Sequence, residues 1–461
     1  MSLRDPSLLL QVFLLLTFFI STALSYPQSI SPPTLSQTIR NSANVFNNGS
    51  RLLFSSVSTG IRTTSQIIIN QRDRQQCSMH RSLEFPCRNL RPSSTVPSSV
   101  HHLRPGDIKV IGALGDSITA GTGALADNLF QLLWEYRGVS FSAGGLGTWR
   151  EYLTVPNILK NFNPKLYGFS TGTNKVRNEK NIDYNMARSG ATSKDLLRQV
   201  HLLIEKIKRD PHIDYGKDWK MITIFIGHND VCSHTCQRHP KFHDSEFVSS
   251  PEVYISFIRK ALDTLQKELP RTFVSIMPMA DVSLSLDIVE KPIPCDFTFF
   301  YLCPCLFDPF FSNTFSKKEM MALERKYLYE LEKLVSSGRY DIKPDFTVVI
   351  QPSIVEGDVP RSKTRRGVLQ PNLDYLAPDC FHFSQKLHAM VSRALWNNLL
   401  EPVGLKRRNY RPDTPFLCPT EIHPYLATNV NSRNSTMSTS DMMQDFMEQI
   451  GNEPGRMNCP L

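Results

Sequence analysis

Ile108-Lys109-Val110-Ile111-Gly112-Ala113-Leu114-Gly115-Asp116-Ser117 is an apolar, β-branched run that halts on a glycine and an acid and then presents a hydroxyl. Such a run predicts a strand over Ile108 to Leu114. The Thr119-Ala120-Gly121-Thr122-Gly123 stretch that follows predicts a helix start and flexible backbone, so the serine belongs to a strand-to-helix turn. In open α/β sheets ligands bind at the carboxyl ends of strands. A helix N-terminus and nearby glycines can offer N–H groups to a developing oxyanion there. A lone serine in that place often does no more than cap the helix, so the rest of the chain has to decide.

The same rhythm continues downstream. Tyr184 to Ala187, Met221 to Ile226, Phe273 to Met277 and Phe346 to Ile350 read as further strands, each ending near Gly, Pro, Asn or Asp. Between them lie amphipathic helices. One is capped by Ser193 and carries Leu196, Leu197, Val200, Leu203, Ile204 and Ile207. Another opens at Pro251, and a third has a capping box of Ser316 and Glu319. A last helix runs from near Ser384 to Leu399. Alternating strands and helices are the mark of βαβ units around a parallel sheet, an α/β fold. The expected organisation is a signal peptide over 1–25, a polar, weakly ordered leader over 26–91, the catalytic-type domain over 92–426 and a polar tail over 427–461.

The compartment is read from the first residues. Arg4 precedes the apolar run Leu8 to Ile20, and Ala23-Leu24-Ser25 offers a cleavage site, which together predict a secreted, extracellular protein. The apolar run falls short of a bilayer span, and no apolar tail closes the chain, so no transmembrane anchor is expected. Ten cysteines in an oxidising compartment should be mostly paired, with Cys77 and Cys87 tying down the end of the leader. Asn48 and Asn434 stand in glycosylation sequons. The net charge of +9 is spread along the chain without a nucleic-acid motif, which argues for a solvated surface, then anionic lipid, and against nucleic acid.

Three further pieces complete a possible site. Asp379-Cys380-Phe381-His382 lies just before the last helix. A nucleophilic serine needs a base, and the base needs an acceptor that fixes its tautomer. Taken alone, the pair reads more simply as a local cap beside a satisfied histidine. Gly227-His228-Asn229-Asp230 follows the Met221 to Ile226 strand, so the Asn229 amide can reach an oxyanion. Ala187-Arg188-Ser189-Gly190-Ala191 follows another strand and places the Gly190 N–H similarly. Each piece alone could be an ordinary turn. Four at successive strand ends supply nucleophile, base, orienter and oxyanion donors together.

With these motifs the chain resembles the GDSL or SGNH hydrolases, and within them animal phospholipase B, over about Pro105 to Pro419. The likeness includes Arg104 to Lys109, Leu153 to Pro164, Ser337 to Asp341 and Ala394 to Asn398. The resemblance implies a three-layer α/β/α sandwich with a parallel, flavodoxin-like sheet. It implies Ser117 as nucleophile, His382 as base, Asp379 as its orienter, and Ser117 N–H, Gly190 N–H and Asn229 as oxyanion donors. It implies hydrolysis of fatty acyl esters of phospholipids and lysophospholipids at a membrane or micelle surface, through an acyl-enzyme, with no metal and no cofactor. Two positions depart from the family pattern. His228 stands where a small residue is usual and so becomes a candidate substrate contact, and Arg188-Ser189 makes that wall more polar. The animal enzymes tend also to be larger, membrane-anchored and repeated, whereas this chain reads as one freely secreted unit.

Other features compete. Gly168-Phe169-Ser170-Thr171-Gly172 matches a nucleophile elbow by letter, but Pro164 breaks any strand before it and a polar stretch follows it. Cys232, His234, Cys236, His239 and His243 have zinc-ligand chemistry, although outside the cell the two cysteines favour disulfides. The aromatic run Phe297 to Phe315 reads equally as a stapled core segment or as an apolar lip or acyl pocket, which makes Phe299, Phe300 and Tyr301 candidate substrate contacts. The alternatives to a phospholipase are a secreted esterase for carbohydrate-linked or small acyl esters, and an inactive lipid-carrying or receptor-binding protein.

Overall fold

A computed structural model describes residues 74–76, 83–88, 91–176, 178, 182–234, 250–307, 316–357 and 359–433. Four strands, β1 (Ile108–Gly115), β2 (Trp219–Phe225), β3 (Thr272–Met277) and β4 (Phe346–Ile350), form one sheet in the order β1-β2-β3-β4. All neighbours are parallel. The strands read as nearly unbroken apolar runs because both faces are covered. Ile111, Met221, Phe225, Phe273 and Val349 point into one core and Val110, Ile222, Ile224, Val274 and Val348 into the other. The alternation is the period of two of a pleated strand.

Eight helices carry the argument: α1 (Ser117–Ala120), α2 (Val155–Phe162), α3 (Leu196–Arg209), α4 (His228–His234), α5 (Pro251–Glu268), α6 (Ile293–Leu302), α7 (Lys317–Ser336) and α8 (Gln385–Leu400). The apolar sides of α2 and α8 share the first core, and those of α3, α5 and α7 the second. The result is the expected three-layer α/β/α sandwich. Among the described residues no helix is long and apolar enough to cross a membrane.

Local signals placed most element ends. Ser250 caps α5, Ser316 and Glu319 close the capping box of α7, and Ser384 caps α8. Two expectations change. The capping box before α3 is made by Thr192 and Asp195, not by Ser193. Tyr184 to Ala187 forms no strand; it touches the edge of β1 through a single bridge, Ala113 to Asn185. Asp183 in a left-handed conformation (φ 47°) and Gly190 (φ 79°) bend the chain at both ends, so pairing cannot propagate.

The packed unit also reaches past both margins expected for the domain. Arg74 and Gln76, from the stretch read as a weakly ordered leader, are buried. The Gln76 backbone N–H donates to Gln385 Oε1 (2.6 Å), and Gln76 Oε1 accepts from Leu153 N–H (2.6 Å) and Gln385 Nε2 (3.1 Å). A disulfide joins Cys87 to Cys418 and so ties down the end of the leader as expected; Cys77 lies outside the described residues. At the other end Ala427 N–H bonds to Leu399 O and Thr428 is fully buried. Gln76→Ala would leave two buried donors unsatisfied and is expected to lower stability by about 2–4 kcal/mol, read as a shift in urea midpoint.

Candidate active site

β1 and α1 meet at a turn that only these residues permit. A side chain at Gly115 would collide with the Phe225 carbonyl and with Thr119. Asp116 caps α1, its Oδ1 accepting from Ile118 N–H at 3.0 Å. Ser117 is therefore the first helical residue, at the carboxyl end of the sheet, where its own N–H has no acceptor within the helix.

The loop before α8 comes to the same point. His382 Nε2 lies 2.8 Å from Ser117 Oγ, and His382 Nδ1 lies 2.6 Å from Asp379 Oδ2. The other Asp379 oxygen accepts the backbone N–H groups of Phe381 (3.0 Å) and His382 (2.9 Å), so the carboxylate is fixed before it orients the imidazole. Between them Cys380 adopts a left-handed backbone (φ 57°), a conformation costly for a residue with a side chain. A disulfide to Cys295 of α6 holds it. Burial pulls the His382 pKa down, but the Asp379 carboxylate, with help from Asp116, outweighs it and leaves the value above its ordinary 6.5. Burial raises the Asp379 carboxyl, yet His382 and the two N–H donors hold it below its ordinary 3.8. With Nδ1–H donating to the Asp379 carboxylate, Nε2 is free to take the Ser117 proton.

The candidate oxyanion donors sit on either side of this turn. β1 and β2 are paired with Gly115 opposite Phe225, so Asn229, at the start of α4, leaves the strand adjacent to that of Ser117. One Asn229 Nδ2 hydrogen goes to Ala191 O (2.9 Å), which leaves the second for a ligand. The Gly190 loop is tied to β1 through Arg188 N–H to Gly115 O (3.1 Å).

Several residues that sequence reading passed over hold this frame. Buried Arg137 pairs with Glu135 (2.6 Å) and donates to Asn185 O and Ala187 O (each 2.8 Å), while Glu135 accepts from Ser189 Oγ (2.7 Å). Together they brace the Gly190 loop; nothing in their spacing marks them. Arg137→Met would strand the Glu135 charge and is expected to cost about 3–5 kcal/mol, measured by denaturant unfolding. Asp230 accepts from Ser193 Oγ (2.5 Å) and Ser193 N–H (2.9 Å), which anchors α4 to the start of α3. Burial, with Asp116 nearby, pushes its pKa to about 7. Arg74 adds a buried cation whose pKa is lowered by burial against the attraction of Asp379, Asp374 and Asp127.

Other sequence candidates fare differently. His228 is buried with both ring nitrogens engaged: Nδ1 with Asp116 Oδ2 (2.8 Å), and Nε2 accepting from Ala280 N–H (3.1 Å). Both nitrogens are thus engaged within the protein, and His228 links the Asp116 turn to the β3 end. Phe299 is buried and stacked on Phe307 (4.5 Å), whereas Phe300 and Tyr301 are exposed, 47% and 44%, as an apolar lip requires. Ser170 of the elbow-like sequence is buried and donates to Ile182 O. Cys232 is bonded to Cys303, which removes it from any zinc site. Cys236, His239, His243, Asn48, Asn434 and the 1–25 segment lie outside the described residues.

Residues 111–395 match the GDSL-like lipase/acylhydrolase family. The chain belongs to that family. Among relatives of this GDSL-like chain, phospholipase B1, membrane-associated, of Mus musculus is 41% identical over 360 residues, 77% of this chain and 23% of that protein. The Rattus norvegicus protein of the same description is 41% identical over 360 residues, covering 77% and 24%. The Homo sapiens one is 39% identical over 377 residues, covering 80% and 25%. The GDSL-like chain thus spans about a quarter of the length of these relatives.

Proposed function

We propose that this GDSL-like chain is a carboxylic ester hydrolase that cleaves fatty acyl esters of phospholipids or lysophospholipids outside the cell. The observation that carries the reading is the hydrogen-bonded line from Ser117 Oγ through His382 to Asp379 at the carboxyl edge of the sheet. The lipid assignment draws on the phospholipase B1 relatives. Export draws on the apolar run Leu8 to Ile20 and on disulfides such as Cys87–Cys418, which persist in oxidising compartments.

In the proposed reaction Ser117 Oγ forms a bond to the acyl carbonyl carbon while its proton passes to His382 Nε2. Asp379 stabilises the imidazolium that results. The carbonyl electrons move onto oxygen, facing Ser117 N–H, Gly190 N–H and Asn229 Nδ2. Collapse breaks the ester C–O bond, and the leaving alcohol takes the proton from His382. Water, deprotonated by the same imidazole, then releases the fatty acid and restores Ser117.

The test is fatty acid release by the exported protein from phospholipid, lysophospholipid and a short water-soluble ester, alongside mass spectrometry after a serine-directed phosphonate. Release from the lipids and a phosphonate adduct on Ser117 are expected. Hydrolysis of the short ester alone would remove the lipid assignment while keeping the hydrolase. The absence of any adduct would remove both.

A further inference from the structure

Two exposed apolar groups flank one short segment beside the catalytic loop. The first belongs to a hairpin of β5 (Arg361–Lys363) and β6 (Leu369–Pro371), paired antiparallel with Lys363 opposite Leu369 and Ser362 opposite Gln370. Opposite residues share a face, and the faces alternate along each strand. Gln370 is buried on the inner face, where its Oε1 accepts Val289 N–H (3.1 Å) and Glu290 N–H (2.8 Å). Arg361, Lys363 and Leu369 therefore occupy the outer face, and all three are exposed. The tip is closed by Thr364 N–H to Val368 O (2.8 Å) and Gly367 N–H to Thr364 O (2.9 Å), and it presents Arg365, Arg366 and Val368 to solvent.

The second group is Phe300 and Tyr301 of α6. Lys291 joins the two groups: it directly follows the residues held by Gln370, and its Nζ lies 5.3 Å from the centre of the Phe299 ring. Val289, on the same segment, is 61% exposed, and Val368 and Leu369 are 46% and 55% exposed. Both groups are fixed to the catalytic loop. α6 carries the disulfide to Cys380, and Thr298 Oγ1 lies 3.0 Å from Asp379 O. β6 runs directly into the loop that bears Asp379 and His382.

We infer that the hairpin, the Val289 segment and the end of α6 form a docking surface for a membrane rich in anionic phospholipid, from which the site takes its substrate. The inference rests on the lipid-ester reading and adds the surface on which it operates. Two observations choose the occupant. Between Arg361 and Leu369 stand the cations Arg361, Lys363, Arg365 and Arg366 and no acid. The nearby acids are engaged, Asp287 with Arg361 (3.0 Å) and Lys317, and Glu290 with Arg365 N–H (3.2 Å). Cations alone would suit any polyanion, but exposed Val368, Leu369, Phe300 and Tyr301 gain nothing from a sulfated sugar or a nucleic-acid backbone. A bilayer face offers both partners, lipid phosphates for the cations and the acyl boundary for the apolar side chains.

The experiment measures flotation of the full chain with vesicles of phosphatidylcholine alone and of an equimolar mixture with phosphatidylglycerol, with Ser117→Ala present so that no lipid is consumed. The parent should bind the anionic vesicles more tightly. Each cation at an anionic surface contributes about fivefold, so Lys363→Gln with Arg366→Gln should weaken that binding about 25-fold. Val368→Ser with Leu369→Ser should weaken it about 100-fold, at about tenfold for each side chain withdrawn from the interface. All four positions are exposed, so melting temperatures should stay within a few degrees. Equal binding to both compositions, folded variants that bind as the parent does, or retention on immobilised heparin with no vesicle binding would each overturn the inference. If the substitutions weaken vesicle binding but the chain with Ser117 restored cleaves no ester, the docking surface stands and the hydrolase reading falls. If that chain cleaves dispersed phospholipid but vesicle binding ignores the substitutions, the hydrolase reading stands and the surface falls.

Discussion

Replacing Ser117 by alanine is expected to lower kcat for ester hydrolysis by about 10⁶-fold, leaving the weak acceleration that binding and oxyanion donors supply alone. The geometry is specific on this point. The Ser117 hydroxyl lies 2.8 Å from His382 Nε2. The rival hydroxyl, Ser170, is committed to Ile182 O, so Ser170→Ala should leave the rate within a few-fold of the wild type. Ser117→Ala removes one hydrogen bond and should keep its melting temperature within a few degrees, which separates lost chemistry from lost fold. Fatty acid release above about one per cent of the wild-type rate would mean that another group attacks the ester.

Asp379→Asn should lower kcat by about 10⁴-fold, and it should also move the pH profile. An asparagine amide can turn its NH₂ toward His382 Nδ1, which places the imidazole proton on Nε2, where it blocks transfer from Ser117. The pH effect follows from the charge lost. His382 acts as a base only when neutral, so kcat/KM falls as pH drops through its pKa. Asp379 is the main group lifting that value above 6.5, while burial pulls it down. The acid limb of the wild type should therefore lie above pH 6.5, and that of the asparagine variant should move to lower pH. A profile that keeps its acid limb in place while the rate falls would show that Asp379 supports the loop and not the base.

The sequence alone determined the elements and the chemistry that ride on local patterns. The apolar runs became β1 to β4 because a sheet buried on both faces requires continuous apolar strands, and Ser250, Ser316 and Ser384 cap helices because a cap needs only its own turn. The four motifs could be read together because parallel strands bring all their carboxyl ends to one edge. The tertiary structure alone decided the pairings between distant segments. Nothing in the spacing of Cys87 and Cys418, separated by 331 residues, or of Gln76 and Gln385 declares a contact that exists only once the sandwich is closed. His228 was visible as an unusual residue, but only the fold could show that Asp116 and Ala280 take both its nitrogens. The aromatic run suggested an acyl pocket because composition reports apolarity without position. In the fold Phe299 is buried against Phe307, whereas Phe300 and Tyr301 are exposed.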